Sequence, residues 1–281
     1  MIHIQGINFS YRKKPKLFTD LRLDLQAGHI YGLLGRNGAG KSSLLRLMCG
    51  LLFPVSGTIS ILGWQPEKRS PAFLRQLFFI PEEIYLPAVS IRRYEKTYAP
   101  FYPKYNPEQF RYYLKEYNVD AEARLSDLSF GQKKKVLIAF ALACNTRLLI
   151  MDEPTNGLDI PSKSKFKKML ASVATDDKLI LVSTHQVQDL ENLIDRLIIL
   201  EDSRILLHRG LDEIVQKLHF GNLSTTEGNE RVLYAEAALK GYSVVMENAT
   251  QQESKVNLEQ LFHATLEQPE RIQQLLGHQK H

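Results

Sequence analysis

The chain has 281 residues, 44% hydrophobic and 24% charged, with a formal net charge of +5. That is enough for one large globular domain or a domain with an appendage, and no apolar stretch approaches the roughly 20 residues of a membrane-spanning helix. The basic balance suits an anionic partner (nucleotide, lipid headgroup or nucleic acid) without choosing among them. Its two cysteines, Cys49 and Cys144, lie in apolar surroundings without metal-ligand spacing and read as buried thiols of a reducing compartment. The first residues, Met1-Ile2-His3-Ile4-Gln5, lack the basic-then-apolar pattern of a secretory leader.

Residues 2–9 alternate apolar and polar and predict a strand. A polar turn at Tyr11-Arg12-Lys13-Lys14 follows, then a second strand from about Leu21 to Leu25. Tyr11 reads equally as a half-buried turn residue or as a face on which a purine base stacks. The apolar run Ile30-Tyr31-Gly32-Leu33-Leu34 predicts a buried strand, and Ser43 to Met48 has helical spacing. Between them lies Gly35-Arg36-Asn37-Gly38-Ala39-Gly40-Lys41-Ser42, the G-x-x-x-x-G-K-[ST] pattern in its required strand–turn–helix context. Glycines let the backbone curl so that successive N–H groups face one concavity, and the helix adds its positive end. Lys41 then reaches the terminal phosphates, and Ser42 offers a hydroxyl oxygen to Mg²⁺.

Gly57 to Gly63 and Leu77 to Ile80 predict further strands, the second stopped by Pro81 and delivering Glu82 and Glu83 to its C-terminal end. From Ile84 to Asp127 the composition shifts. Eight of the 12 tyrosines fall between Tyr85 and Tyr117, among Pro87, Pro100, Pro103 and Pro107. Asn106 and Pro107 open a helix that places Phe110, Tyr113, Leu114 and Tyr117 on one face. Without a dense basic stripe, this insert reads as a helical core with a protein-contact surface rather than a single-strand nucleic-acid platform.

Leu128-Ser129-Phe130-Gly131-Gln132 and Lys133 to Lys135 precede an apolar helix, Val136 to Cys144. Three lysines in a first helical turn oppose its dipole. They read either as a solvated basic turn or as the rim of an anion site built on Ser129 and the N–H groups of Gly131 and Gln132. Arg147 to Met151 is an unbroken apolar run, the mark of a strand buried on both faces, and it ends in Asp152-Glu153. Beside a phosphate loop, Asp152 fits the Mg²⁺ side and Glu153 is free to orient or deprotonate water. Asn156-Gly157-Leu158-Asp159 forms a turn, and Pro161 opens a helix. Leu179 to Ser183 is the next buried strand and brings His185 to the same sheet edge. A hairpin closes around Glu201-Asp202-Ser203. Beyond residue 218, strands at Val232–Glu236 and Tyr242–Met246 and a helix capped by Asn257, with Gln260 at the reciprocal capping-box position, make a small appended module.

Assembled in this order, the motifs resemble the nucleotide-binding subunit of ATP-binding cassette (ABC) transporters over residues 1 to about 215. The resemblance implies a P-loop NTPase: a RecA-like α/β core with an antiparallel β subdomain and an α-helical subdomain at about 84–145, in a domain spanning 1–218. A small α+β extension at 219–281 is added. By position, Tyr11 matches the adenine-stacking aromatic, Gly35 to Ser42 with Ser43 the phosphate loop, and Ser129, Phe130, Gly131 and Gln132 the signature. Asp152 and Glu153 match the Mg²⁺-side acid and the catalytic glutamate, Asp159 the loop that meets the partner subunit, and His185 the switch histidine. The resemblance implies head-to-tail dimers that sandwich ATP between one subunit's phosphate loop and the other's signature, which would supply the lysines' anion as a γ-phosphate from the partner. It also implies Mg²⁺ as cofactor and docking on separate membrane-spanning subunits at the cytoplasmic face. No direct nucleic-acid partner is implied.

Two positions depart from the family pattern. Glu82 stands where glutamine is usual, as in a minority of exporter-type members with Pro-Glu-Glu, and Phe130 stands where glycine is usual. A carboxylate still binds Mg²⁺, and Phe130 keeps its N–H, so an active Mg-ATPase is expected, with a lean towards export. The alternative is a soluble cassette ATPase acting on ribosomes or DNA. It fits less well, because the translation type resembles two cassettes in one chain and the repair type inserts a long coiled coil that is not seen here.

Overall fold

A computed structural model of the chain describes residues 1–277. The chain begins as a hairpin of β1 (Ile2–Ser10) and β2 (Lys16–Leu25). β2 starts at Lys16 rather than near Leu21, because Phe18 pairs opposite Phe9 and is fully buried. Asp20 takes a left-handed φ of 49° there, which breaks the period-2 pattern along the strand. β3 (His29–Leu34) leads through the glycine-rich turn to α1 (Lys41–Met48). β4 (Ser56–Ile61) pairs with the free edge of β1, making a three-stranded antiparallel sheet in the order β2-β1-β4. After the short α2 (Pro71–Leu74), β5 (Leu77–Ile80) ends at Pro81 as expected.

Three helices form the insert: α3 (Ile91–Tyr98), α4 (Pro107–Glu116) and α5 (Phe130–Ala143). Asn106 caps α4 by accepting from the Glu108 and Gln109 amides at 2.9 and 3.1 Å, with Pro107 in the first turn, where its missing N–H is harmless. The tyrosine-rich stretch packs round Phe140: the rings of Tyr94, Tyr105 and Phe110 lie 5.1, 5.3 and 5.6 Å from it between centroids. These aromatics are core rather than a stacking platform.

β6 (Leu148–Asp152), α6 (Ile160–Val173), β7 (Leu179–Thr184), α7 (Val187–Leu190), β8 (Arg196–Glu201) and β9 (Arg204–Gly210) complete the centre. The six-stranded sheet runs β5-β6-β7-β3-β8-β9, parallel except for the β8–β9 hairpin. Side chains on successive residues point to opposite faces. Leu148, Ile150, Leu179, Leu181 and Ile198 therefore pack with α1 and the antiparallel sheet. Leu149, Met151, Ile180, Val182 and Ile199 pack with α5 and α6 on the other side. A strand buried on both faces needs an unbroken apolar run, and that is why these strands were readable from sequence.

The last part comprises α8 (Leu211–Lys217), β10 (Leu218–Leu223), β11 (Val232–Ala238), β12 (Gly241–Glu247), α9 (Leu258–Glu267) and α10 (Pro269–Leu276). The boundary expected at 218/219 falls at the first residue of β10, and residues 278–281 of the expected extension lie outside the described residues. Leu218, Leu233, Val245, Leu261 and Ile272 join the same apolar cluster as Leu190, Leu197 and Leu207, so the module rests on the central sheet's outer flank. Asn257 caps α9 as predicted, but Gln260 does not return a bond to it. Its buried amide instead donates to Glu236 at 2.8 Å and to Ser243, tying α9 across β11 and β12. A tertiary acceptor outcompetes the local one there.

Candidate nucleotide-binding and hydrolysis site

All but one of the central sheet's strands run the same way, so β3, β5, β6 and β7 open their C-terminal ends onto one edge. A cavity of about 670 Å³ lies there, lined by Tyr11, Lys14 to Leu17, Asn37, Gly38, Gly40 to Ser43, Glu82, Glu153 and His185. Residues from five separate stretches of sequence thus meet at one mouth.

The turn from β3 to α1 is tightly confined. A Cβ on Gly35 would stand 2.2 Å from the Leu200 carbonyl oxygen, so only glycine lets the loop pass the end of β8. Gly38 and Gly40 take φ of 89° and 104°, the left-handed region where glycine carries no Cβ penalty. Gly40 precedes α1 without any side-chain cap, leaving that helix end to an outside partner. Ala39 is buried beneath the loop. The Arg36 amide donates to buried Glu201 at 3.0 Å, which anchors the loop's first half. Lys41 is buried, and its ammonium donates to the carbonyls of Gly35 and Arg36 at 2.7 and 3.2 Å. Burial pushes its pKa down, while the carboxylates of Glu153, Asp152, Glu201 and Glu82 act to keep it charged. Tyr11 is half-buried, edge-on to Phe9, with its hydroxyl 2.9 Å from Ser43 Oγ.

β6 carries Asp152 to a fully enclosed position. One carboxylate oxygen accepts from Ser183 of β7; the other, Oδ2, is buried without a hydrogen-bond partner. Glu153 follows with φ 47°, a left-handed conformation unusual for a side chain with a Cβ. The turn swings its carboxylate to β7, where Oε2 accepts from Thr184 Oγ1 at 2.9 Å. Oε1 accepts from the His185 amide at 2.9 Å and from the ring Nδ1 at 2.7 Å. An ionised carboxylate only accepts, so Nδ1 carries the proton in this pairing.

The signature segment lies elsewhere. Ser129, Phe130, Gly131 and Gln132 form no part of that cavity's lining. Ser129 caps α5, its hydroxyl accepting from the Gln132 amide at 3.2 Å while Gln132 Oε1 accepts from the Ser129 amide at 3.0 Å. This capping box starts the helix at Phe130, six residues before the predicted Val136. Two expectations are thereby corrected. The Gln132 amide is engaged within the cap rather than free for an anion. Lys133 to Lys135 sit past the first turn, beyond the reach of the helix-end charge. Lys134 is fully buried and donates to the Glu153 carbonyl at 2.6 Å. Lys135 pairs with Asp159 at 3.0 Å. Those two lysines find their partners in the loop after β6 rather than in an external anion.

That loop touches the signature closely. A Cβ on Gly131 would lie 2.8 Å from the Gly157 carbonyl oxygen, and one on Gly157 would lie 3.1 Å from the Phe130 ring. Two glycines thus let α5 abut the Asn156–Asp159 turn, and Gly157 makes room for the bulky Phe130. Asp159 caps α6 by accepting from the Ser162 amide at 2.8 Å, and its bonds to Ser162 and Lys135 hold its carboxyl well below the usual range.

Ser183, Thr184 and Glu201 carry no functional expectation from the sequence, and Lys134 carries only that of a basic run. The two hydroxyls end the same strand as His185, a position that would have flagged them. Nothing in the local pattern marks the partners of Lys134 or Glu201, because they lie 19 and 165 residues away.

The chain matches the family model described as ABC transporter over residues 18–156. It is 34% identical over 217 residues to "Nod factor export ATP-binding protein I" of Neorhizobium galegae, covering 73% of this chain and 60% of that protein. The chain thus spans under two thirds of that relative. To the protein of the same name from Cupriavidus metallidurans it is 32% identical over 207 residues, covering 69% of this chain and 68% of the other. To "ABC transporter ATP-binding protein YtrB" of Bacillus subtilis it is 28% identical, covering 72% and 70%. Among solved structures, an ATP-binding subunit of an ABC transporter superposes with a TM-score of 0.69 at 26% identity, covering 76% of this chain and 91% of that one. Sequence, fold and the order of its motifs agree: the chain belongs to the ABC transporter family, among its ATP-binding proteins.

Proposed function

We propose that this chain is a Mg²⁺-dependent ATPase that powers an exporter, as one half of a nucleotide-binding dimer on separate membrane-spanning subunits. The observation that carries the reading is the convergence of Lys41, Glu153 and His185 on the one cavity below the phosphate loop. Adenine stacks on Tyr11, and the phosphates take N–H groups of the loop from Asn37 to Ser43, the Arg36 and Ala39 amides being engaged by Glu201 and the Arg36 carbonyl. The Lys41 ammonium leaves the Gly35 and Arg36 carbonyls for the terminal phosphates, a better partner for a buried charge. Glu153 is fixed from both oxygens yet keeps acceptor capacity, since a carboxylate offers about four lone-pair sites. It takes the proton of the attacking water as the water oxygen bonds to the γ-phosphorus and the bond to the β-phosphate oxygen breaks. His185 steadies Glu153 and contacts the γ-phosphate.

The donor set fits Mg²⁺. Asp152 Oδ2 is a buried oxygen without a partner, and Ser42 lines the cavity mouth with Glu82. Among the described residues no cluster of three His, Cys, Asp or Glu could hold a metal alone. That accords with an ion held by few protein oxygens together with substrate phosphates. Held by Ser42, Asp152 and Glu82, Mg²⁺ would supply positive charge against the charge that develops on the phosphates.

Several features support the dimer and the docking. The signature residues are excluded from their own chain's cavity, and Phe130 and Ile160 stand 50% and 85% exposed on that side. No helix among the described residues is long and apolar enough to cross a membrane, so on this reading the spanning segments lie outside those residues. An apolar groove of about 620 Å³ between the α/β core and the helical insert, including Leu51, Leu74, Phe79, Tyr98 and Phe101, suits an amphipathic helix of such a subunit. Two relatives carry export in their names, and that supports the direction. On this reading the chain sits peripherally on the cytoplasmic face.

The test is Glu153→Gln. Hydrolysis should fall by roughly 10²–10⁴-fold, ATP binding should persist, and a dimer should accumulate with ATP on gel filtration. Unchanged steady-state phosphate release would remove Glu153 from this role.

A further inference from the structure

Lys134 is a charged side chain with no solvent exposure, in a helix whose other buried residues are apolar. A buried ammonium is unfavourable unless paired and hydrogen-bonded. Among the described residues its single hydrogen bond goes to the main-chain carbonyl of Glu153 at 2.6 Å. Its Nζ also lies 5.7 Å from the centre of the Phe130 ring. Burial lowers its pKa, and the carboxylates of Glu82, Glu153 and Asp152, strongest first, oppose that shift. Glu82 forms no ion pair with any cation within 4.0 Å among the described residues, so its influence on Lys134 is through space.

These facts bear on two oddities of the site. Glu153 holds a left-handed φ of 47°, a conformation that persists only when its surroundings enforce it. A donor clamped on its carbonyl fixes the peptide plane after that φ, and with it the direction of the Glu153 side chain. The second oddity is the acid at Glu82, which adds a third carboxylate beside Asp152 and Glu153 at a site for phosphates. The buried Lys134 ammonium, bonded to the Glu153 carbonyl of the same cavity that Glu82 lines, offsets that charge before any cation or nucleotide arrives.

We infer that Lys134 is a positioning residue for hydrolysis, clamping the Glu153 carbonyl so that the carboxylate is aimed at the attacking water, and that its charge is what makes an acid tolerable at Glu82. This rests on the ATPase reading above. It assigns a task inside the chain to a lysine that follows the signature, distinct from contact with a partner's nucleotide.

The experiment measures kcat and KM for ATP in the full chain, with thermal unfolding, for wild type, K134M, K134Q, E82Q and E82Q/K134Q. If wild type hydrolyses no ATP, the proposed function fails and this inference with it. With an active wild type, K134M should lower kcat by roughly 10–100-fold while KM stays within about twofold. K134Q keeps a donor and loses the charge; it should lose less than K134M, and adding E82Q should restore at least about 3-fold. A folded K134M with kcat within about twofold of wild type, or with KM raised and kcat unchanged, overturns the inference. So do K134Q and E82Q effects that simply multiply. If K134M fails to fold, the K134Q and E82Q cycle decides by the same criteria.

Discussion

A methyl group on Gly35 would meet the Leu200 carbonyl oxygen at 2.2 Å, whereas one on Gly38 would meet nothing within 4 Å. The two loop glycines are therefore needed for different reasons, close approach at one and left-handed backbone at the other. Gly35→Ala must push the loop off the end of β8 and should destabilise the fold by about 1–3 kcal/mol, read as a lower unfolding midpoint. Gly38→Ala should show only the smaller strain of a residue with a Cβ at φ 89°. Asp159 gives a pH-dependent case. Its folded-state pKa lies below the ordinary value of 3.8, chiefly through its bonds to Ser162 and then Lys135. The contribution is therefore complete above about pH 4 and is lost as pH falls further through the folded value. The stability gap between wild type and Asp159→Asn should be flat from about pH 6 to 8 and close below about pH 4. A gap that widens in acid would contradict the assignment.

Element by element, the segments legible in the sequence are those whose partners are local or whose burial is two-sided. The cap at Asn106 and the strands ending in Ile80, Asp152 and Thr184 stand where their residues put them. α5 starts earlier than its apolar run Val136 to Cys144 implies, because the capping box at Ser129 and Gln132 holds a preceding polar turn. Gln260 shows the reverse. A sound local capping pattern yields to Glu236 and Ser243 once the sheet is in place. Gln260→Ala should therefore cost about 0.5–1.5 kcal/mol by removing the hydrogen bonds to exposed Glu236 and half-buried Ser243, and should loosen α9 from β11 and β12 in amide exchange. Protection of α9 unchanged from wild type would show that the cross-tie contributes nothing.

At the scale of the molecule, the proposed function gives one chain two half-sites. The cavity with Lys41, Glu153 and His185 sits at the sheet edge, while the signature with Phe130 forms no part of its lining. If two copies complete each other, hydrolysis per subunit should rise with protein concentration while fractional ATP binding at saturating nucleotide stays constant. A rate strictly proportional to enzyme, down to the monomer, would count against the shared site. By itself the sequence determined the phosphate loop, the two-faced parallel strands, the acids at their ends and the presence of an extra C-terminal module, because each depends on neighbours a few residues away. Tertiary structure decided what the lysines do. Lys134 and Lys135 looked like a basic turn awaiting an anion, and they became internal partners of Glu153 and Asp159. A charge finds its partner through space, and pairing across 19 or 24 residues leaves no period in the chain to read.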